Sequence, residues 1–173
     1  MGCDIHAMLE VEGESPVAFA FNAIFAGQAS LPRNLAVFGA LAGVRSTVPP
    51  LYPPRGIPDN VSEESFEEYY LFVINEADAE MYRGYGYVTR DEAPIRGRVY
   101  WKTSGLQSRF GYVADPDWHT PSWLFLSEIH EALAHAKLTA EDLMPEYRIV
   151  LDALASAERW LGRRARLVFW FDN

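Results

Sequence analysis

Residues 164–171 read RARLVFWF and residues 3–11 read CDIHAMLEV, and these two stretches decide the fold. In both, apolar side chains recur at every second position, which is the period of a β-strand with one face in the core. A strand needs a sheet partner, and a helix with one apolar stripe needs a sheet face to cover. We therefore expect one mixed or antiparallel sheet that contains both terminal strands.

Helical patterns account for much of the remaining chain. Asn34 is a good N-cap before apolar residues at helical spacing that end at Gly43, and Ser62 caps a helix near 63–80. Further helices follow from Leu126 and over 143–161, and the second of these closes at Gly162 as a C-cap. The predicted fold class is α+β: a single domain over residues 1–173, with three to four helices packed on the sheet.

Three segments lack a clear helical period. Prolines and Gly56 predict a stiff surface loop from Ser46 to Asn60, and the two prolines within residues 115–122 predict a second loop. Glycines alternate with Val99, Tyr100 and Trp101 between Tyr85 and Tyr112, which favours a twisted hairpin.

Composition limits the classes of partner. A formal net charge of -9 argues against sequence-independent nucleic-acid binding, since that affinity comes from lysines and arginines that release counterions. No run approaches the roughly 18 apolar residues that span a bilayer, so we expect no membrane association. One cysteine and no charged-then-apolar leader predict a cytoplasmic protein.

Two pairs of Asp and His suggest a metal site. Asp4 and His6 leave one face of the first strand about 6 to 7 Å apart, from which two ligands can converge on one ion. Asp117 and His119 repeat the spacing in the second loop. We predict Asp4, His6 and His119 as ligands of a divalent ion, zinc or manganese. The alternative is that both pairs are structural, as a strand pair and as ordinary turn chemistry before proline.

Other polar residues would complete such a site. Either Asp117 or Glu10 is the predicted general base, because a carboxylate can take a proton from metal-bound water. The predicted anion or substrate ligands are Arg45, Arg55, Ser122 and Asp172. Arg55 equally suits a turn held by an arginine–carboxylate pair. Cys3 shares the apolar face of its strand, so we expect it to be buried and chemically quiet.

A set of landmarks runs from end to end of the chain. They are the opening MGCDIH (1–6), Asn34–Phe38 with Gly43–Arg45, Arg55–Asp59, Asp117–Leu124, and the ending FWFDN (169–173). With these landmarks the chain resembles an uncharacterised family of bacterial and phage proteins. The resemblance implies no established activity, but its landmarks coincide with Asp4, His6, Asp117, His119, Ser122 and Asp172.

Two function hypotheses follow from these residues. The first is a divalent-metal-dependent hydrolase of a small phosphate or amide substrate. The second is a non-enzymatic, phage-related binding or regulatory protein, whose acidic surface, tyrosines and proline-rich loop (Ser46–Asn60) serve a protein partner.

Overall fold

The computed structural model describes residues 3–13, 21–25, 27–73, 100–103, 109–114 and 118–172. Backbone contacts divide the chain into two compact units: Met1–Ser65 together with His119–Asn173, and Phe66–Trp118. Each unit has its own antiparallel sheet. No helix of the described ranges combines the length and apolar character needed to cross a bilayer. A single domain over residues 1–173 stays a prediction.

The first unit is built on a four-stranded antiparallel sheet. Its strands are β1 (Ile5–Glu12), β2 (Phe21–Ala23), β6 (His119–Phe125) and β7 (Ala165–Phe171), and they lie in the order β2-β1-β7-β6. The two terminal strands pair in a continuous register, from Ile5 opposite Phe171 to Val11 opposite Ala165. The predicted α+β class and the sheet that contains both terminal strands are therefore confirmed.

Four helices lie in the described part of the chain. They are α1 (Leu35–Ala42), α2 (Glu63–Tyr69), α3 (Leu126–His135) and α4 (Pro145–Leu161), with a short 3-10 turn at Ala140–Asp142 before α4. The predicted caps are confirmed. The Asn34 side chain accepts hydrogen bonds from two backbone N–H groups, Ser62 Oγ accepts one from the Ser65 N–H, and Gly43 and Gly162 end α1 and α4 in the left-handed conformation.

One face of the sheet forms the hydrophobic core. Ile5, Ala7 and Leu9 of β1 join Leu167 and Phe169 of β7 there, and the buried sides of α1, α3 and α4 cover them. The opposite face is also covered, because every residue of β7 is buried. Both faces of the central strands therefore lie inside the protein, although alternation alone predicted one polar face for β1.

The second unit contains a three-stranded antiparallel sheet. Its strands are β3 (Tyr70–Val73), β4 (Tyr100–Thr103) and β5 (Arg109–Ala114), and they lie in the order β3-β5-β4. The predicted helix near 63–80 is wrong at residues 70–73, because the aromatic and β-branched run from Tyr70 pairs with β5 instead, and its remainder at 74–80 lies outside the described residues. The β4–β5 pairing agrees with the predicted hairpin, whose earlier part lies outside the described residues.

The predicted loop at 115–122 is corrected in its second half, where β6 begins at His119. Among the described strands β6 pairs with β7 alone, and its register shifts between His119 and Ser122, so Pro121 fits into this strand. Thr120 has a φ of 52° within that irregularity. Proline cannot donate to a sheet ladder, so edge strands and bulges are where a sheet accommodates it.

Candidate functional site

Four of the residues predicted for the site come together where β1 begins and β7 ends. They are Asp4, His6, Arg45 and Asp172, joined by three residues that were not predicted for the site. We call the whole group the terminal cluster: Cys3, Asp4, His6, Gln28, Arg33, Arg45 and Asp172. All seven belong to the first compact unit.

Asp172 holds the two chain ends together. Its Oδ1 accepts a hydrogen bond from the Asp4 N–H at 2.8 Å, and its own N–H donates to the Asp4 carbonyl at 3.2 Å. These reciprocal bonds extend the β1–β7 ladder one step beyond the Ile5–Phe171 pair. Asp172 is thus a bridge between the termini as well as a candidate ligand.

The His6 ring is held on both of its nitrogen atoms. Nε2 lies 3.2 Å from Asp172 Oδ2, and Nδ1 lies 2.7 Å from Gln28 Oε1. The ring also stacks on the Trp170 indole, with centroids 5.8 Å apart and planes within 6°. The side chains of His6 and Asp172 remain 22% and 29% exposed, so a solute can reach this pair.

Asp4 is neutralised by an arginine. Both carboxylate oxygens contact the Arg33 guanidinium, and the Nη2–Oδ2 distance is 2.8 Å. Hydrogen bonding from Arg33 lowers the pKa of Asp4 below its ordinary value. Asp4 therefore enters the cluster as a carboxylate that already has a cationic partner.

Cys3 lies on the core side of the same strand end. It is 2% exposed, which agrees with the predicted burial, and the Arg45 side chain lies close to its thiol. Burial raises the pKa of the Cys3 thiol, and the Arg45 contact opposes that shift only in part. The thiol is therefore a poor nucleophile near neutral pH.

The terminal cluster has the chemistry of an oriented histidine. A carboxylate on one ring nitrogen and an amide on the other fix the imidazole plane, and such a ring can hold or transfer a proton. Both nitrogens are already engaged, so a substrate would have to displace Gln28 or Asp172 to reach either of them.

His119 lies apart from this cluster. Its ring packs on Phe171, with centroids 6.0 Å apart, and its Nδ1 lies 2.8 Å from Thr120 Oγ1. His6 contacts Trp170, the preceding residue of β7, and consecutive side chains of a strand point to opposite faces. The two histidines therefore lie on opposite sides of β7, and this arrangement does not bring them to one ion. His119 Nε2 is buried with no hydrogen-bond partner among the described residues.

Glu10, a predicted general base, lies in a buried ion pair instead. One carboxylate oxygen accepts a hydrogen bond from Arg166 Nε at 2.7 Å, and the other accepts one from the Ser62 N–H at 2.7 Å. Arg166 also donates to the Asn60 side chain and stacks over the Phe21 ring at 3.5 Å. Both carboxylate oxygens are engaged away from solvent, so Glu10 is not placed to activate water.

Arg55 and Ser122 form a second group, which fixes the proline-rich loop. Arg55 pairs through two nitrogen atoms with Glu128 of α3 at 2.8 and 2.7 Å, and its N–H donates to Ser122 Oγ at 3.2 Å. Its guanidinium lies over the rings of Tyr52 and Trp123. Burial alone would raise the pKa of Glu128, but hydrogen bonds from Arg55 and the Phe125 N–H outweigh it and lower that pKa.

The predicted ligand set is not assembled within the described residues, where no group of three or more His, Cys, Asp or Glu side chains is placed to hold a metal ion. Asp117 lies outside those residues. Metal binding stays a prediction. Sequence reasoning missed Gln28 and Arg33, because neither belongs to a motif and both reach the cluster only through the chain path between β2 and α1.

The fold and this geometry define an α+β protein with an oriented histidine at the joined ends of its terminal strands. No family model, curated protein or solved structure matches the chain.

Proposed function

We propose that this protein is a non-enzymatic binding protein that engages a protein partner through its proline-rich loop. One observation carries the proposal: the loop is fixed on the fold while it exposes apolar side chains. Val48 and Leu51 are 59% and 40% exposed. Interfaces gain affinity when their contact residues are ordered before binding, because less conformational entropy is lost.

The fixation of the loop is extensive. The Arg55–Glu128 pair, the Tyr52–Glu131 hydrogen bond and a bond from the Gly56 N–H to the Pro121 carbonyl at 2.9 Å attach it to α3 and β6. Prolines at 49, 50, 53, 54 and 58 restrict the backbone further. A loop ordered to this degree supports a role in presenting its exposed side chains.

The ion pairing of the charged residues also favours a binding protein. Asp4 is paired with Arg33, Glu10 with Arg166 and Arg55 with Glu128. A general base or a substrate-binding cation works through an accessible lone pair or an uncompensated charge. Pairing of these groups supports a role for them in holding the fold.

A metal-dependent hydrolase is the second candidate, and one observation favours it. Asp172 brings a second carboxylate to the Asp4 and His6 pair, with its Oδ2 at 3.2 Å from His6 Nε2. Elemental analysis of protein purified without a histidine tag separates the two candidates. Near-stoichiometric zinc, manganese or iron that is lost in His6→Ala would support the hydrolase, whereas metal-free protein would oppose it.

The binding function is tested by placing charge on the exposed loop. Val48→Asp and Leu51→Asp change solvent-exposed side chains, so the thermal unfolding midpoint should stay within a few degrees of the wild type. Affinity purification from the native host, quantified by isotope labelling, should recover defined partners with the wild type and lose them with both variants. Ile149→Asp on the exposed side of α4 is the matched control. Equal recovery by all four proteins would contradict the proposal.

A further inference from the structure

A half-open groove of about 670 Å³ lies beside the proline-rich loop. It runs between the start of α1, residues 45–50 and the turn after α3. Leu35, Val48 and Leu138 contribute apolar side chains to its lining. Leu35 and Val48 are more than half exposed, so apolar surface is available to a partner.

The charge of the groove is opposite to that of the chain. The protein has a formal net charge of -9, yet Arg45, His135 and Lys137 line the groove, and none of its described lining residues is acidic. Lys137 is exposed and forms no ion pair within the described ranges. The groove therefore complements a partner that carries carboxylates.

The backbone at Lys137 gives an independent reason to consider its side chain. Lys137 has a φ of 59° and sits in the turn that ends α3, where the Leu138 N–H bonds the Leu133 carbonyl at 2.9 Å and the Lys137 N–H bonds the Ala134 carbonyl at 3.0 Å. Glycine is the residue favoured at this position of a helix end, since a Cβ is strained there. The fold alone favours glycine here, so what lysine adds is its charged side chain.

We propose that this groove binds an extended, acidic segment of a protein partner, with aliphatic side chains on the apolar lining and a carboxylate at Lys137. The inference rests on the proposed binding function and names the chemistry of the partner. A protein segment fits better than a free small molecule, because small-ligand sites usually bury most of the ligand surface and this groove is half open.

The test begins with a peptide library that is not biased toward acidic, basic or apolar side chains. A random dodecapeptide library displayed on phage is panned against the purified full-length chain, and a synthetic peptide of the enriched consensus is used for fluorescence anisotropy. The expected consensus contains Asp or Glu beside aliphatic residues. An amide NMR map should place the peptide at Val48, Lys137 and Leu138.

Three variants test whether the positive charge of Lys137 contributes to peptide binding. Lys137→Glu should lower the affinity for the consensus peptide about tenfold, and Lys137→Gly should lower it about threefold, in line with the modest energies of exposed ion pairs. Lys137→Gly should keep or raise the thermal unfolding midpoint, so its loss of binding cannot come from unfolding. Arg159→Glu on α4 makes the same charge reversal outside the groove and should change the affinity less than twofold.

The possible outcomes distinguish a failure of the acidic-segment proposal from a failure of the proposed binding function. A neutral or basic consensus, or binding that Lys137→Glu leaves unchanged, overturns the acidic-segment proposal and leaves a binding protein with another surface. Failure to enrich any peptide also overturns the inference. The proposed function is then decided separately by partner recovery with the Val48 and Leu51 variants.

Discussion

At the scale of single residues, the role of each charged side chain depends on the neighbouring groups that it contacts. Arg166 and Glu10 come from adjacent strands and are 1% and 0% exposed, so each is the main compensation for the other's buried charge. The sequence predicted Glu10 as a general base. Alternation identifies which side chains share a face, but it does not reveal that Phe21 and residues 60–62 cover that face.

Removing one charge of this pair should be costly. Arg166→Met leaves the Glu10 carboxylate buried without its cation, and we expect it to lower the free energy of unfolding by about 3–5 kcal/mol. Glu10→Gln in the Arg166→Met background removes the stranded charge and should recover part of the loss. Urea denaturation of the three proteins measures both effects, and a single-variant loss under about 1 kcal/mol would contradict the buried pair.

Asp4 supplies a prediction of pH dependence. Its pKa in the folded protein is lowered by Arg33, so the pair contributes stability above the unfolded pKa of about 4, and that contribution disappears as pH falls through the lower folded value. Carbon-detected NMR should give Asp4 a titration midpoint below the ordinary value. Arg33→Gln should move the midpoint upward, and an unchanged midpoint in this variant would sink the assignment.

At the scale of elements, helix ends follow local rules, whereas strands depend on their partners. Asn34, Ser62, Gly43 and Gly162 end or begin helices as the sequence indicates, because capping satisfies backbone groups within a few residues. The helix predicted to continue beyond Tyr69 instead becomes β3. The apolar side chains there do recur at helical spacing. Pairing with β5, however, satisfies the backbone N–H and C=O groups through residues far along the chain.

The two glycine helix ends should respond differently to alanine. Both have positive φ, 71° at Gly43 and 64° at Gly162, so each substitution strains the backbone by about 1–2 kcal/mol. A Cβ at Gly162 meets no atom within 4 Å, but one at Gly43 lies 2.8 Å from Pro50 Cδ. Gly43→Ala should therefore destabilise the protein more than Gly162→Ala in thermal unfolding. Equal losses of stability in the two variants would mean that the proline-rich loop moves away from the added Cβ at little energetic cost.

At the scale of the whole molecule, the joined termini connect the candidate site to stability. β1 and β7 pair along their full register, and Asp172 closes the open end of that pairing against Asp4. Cys3, one residue before Asp4, packs into the core beneath this junction. Access to its thiol therefore reports whether the terminal strands have separated.

Cys3 should react slowly with a thiol reagent in the native protein. Its burial and raised pKa both reduce the amount of accessible thiolate. Labelling by a maleimide at pH 7, followed by mass spectrometry, should be much slower than in urea, and Asp172→Ala should accelerate it by loosening the strand ends. Native labelling as fast as in urea would refute the buried position.

The sequence by itself determined the elements whose signals are local: the alternating terminal strands, the capped helices, the irregular proline-rich loop and the burial of Cys3. It also selected Asp4, His6, Arg45 and Asp172, which meet in one cluster. Only the tertiary structure decided that Gln28 and Arg33 complete that cluster, that His119 lies on the other side of β7, and that Arg166 neutralises Glu10. The physical reason is distance along the chain. Periodicity and capping act over a few residues, whereas these contacts join residues brought together by strand pairing and loop packing, which no local pattern records.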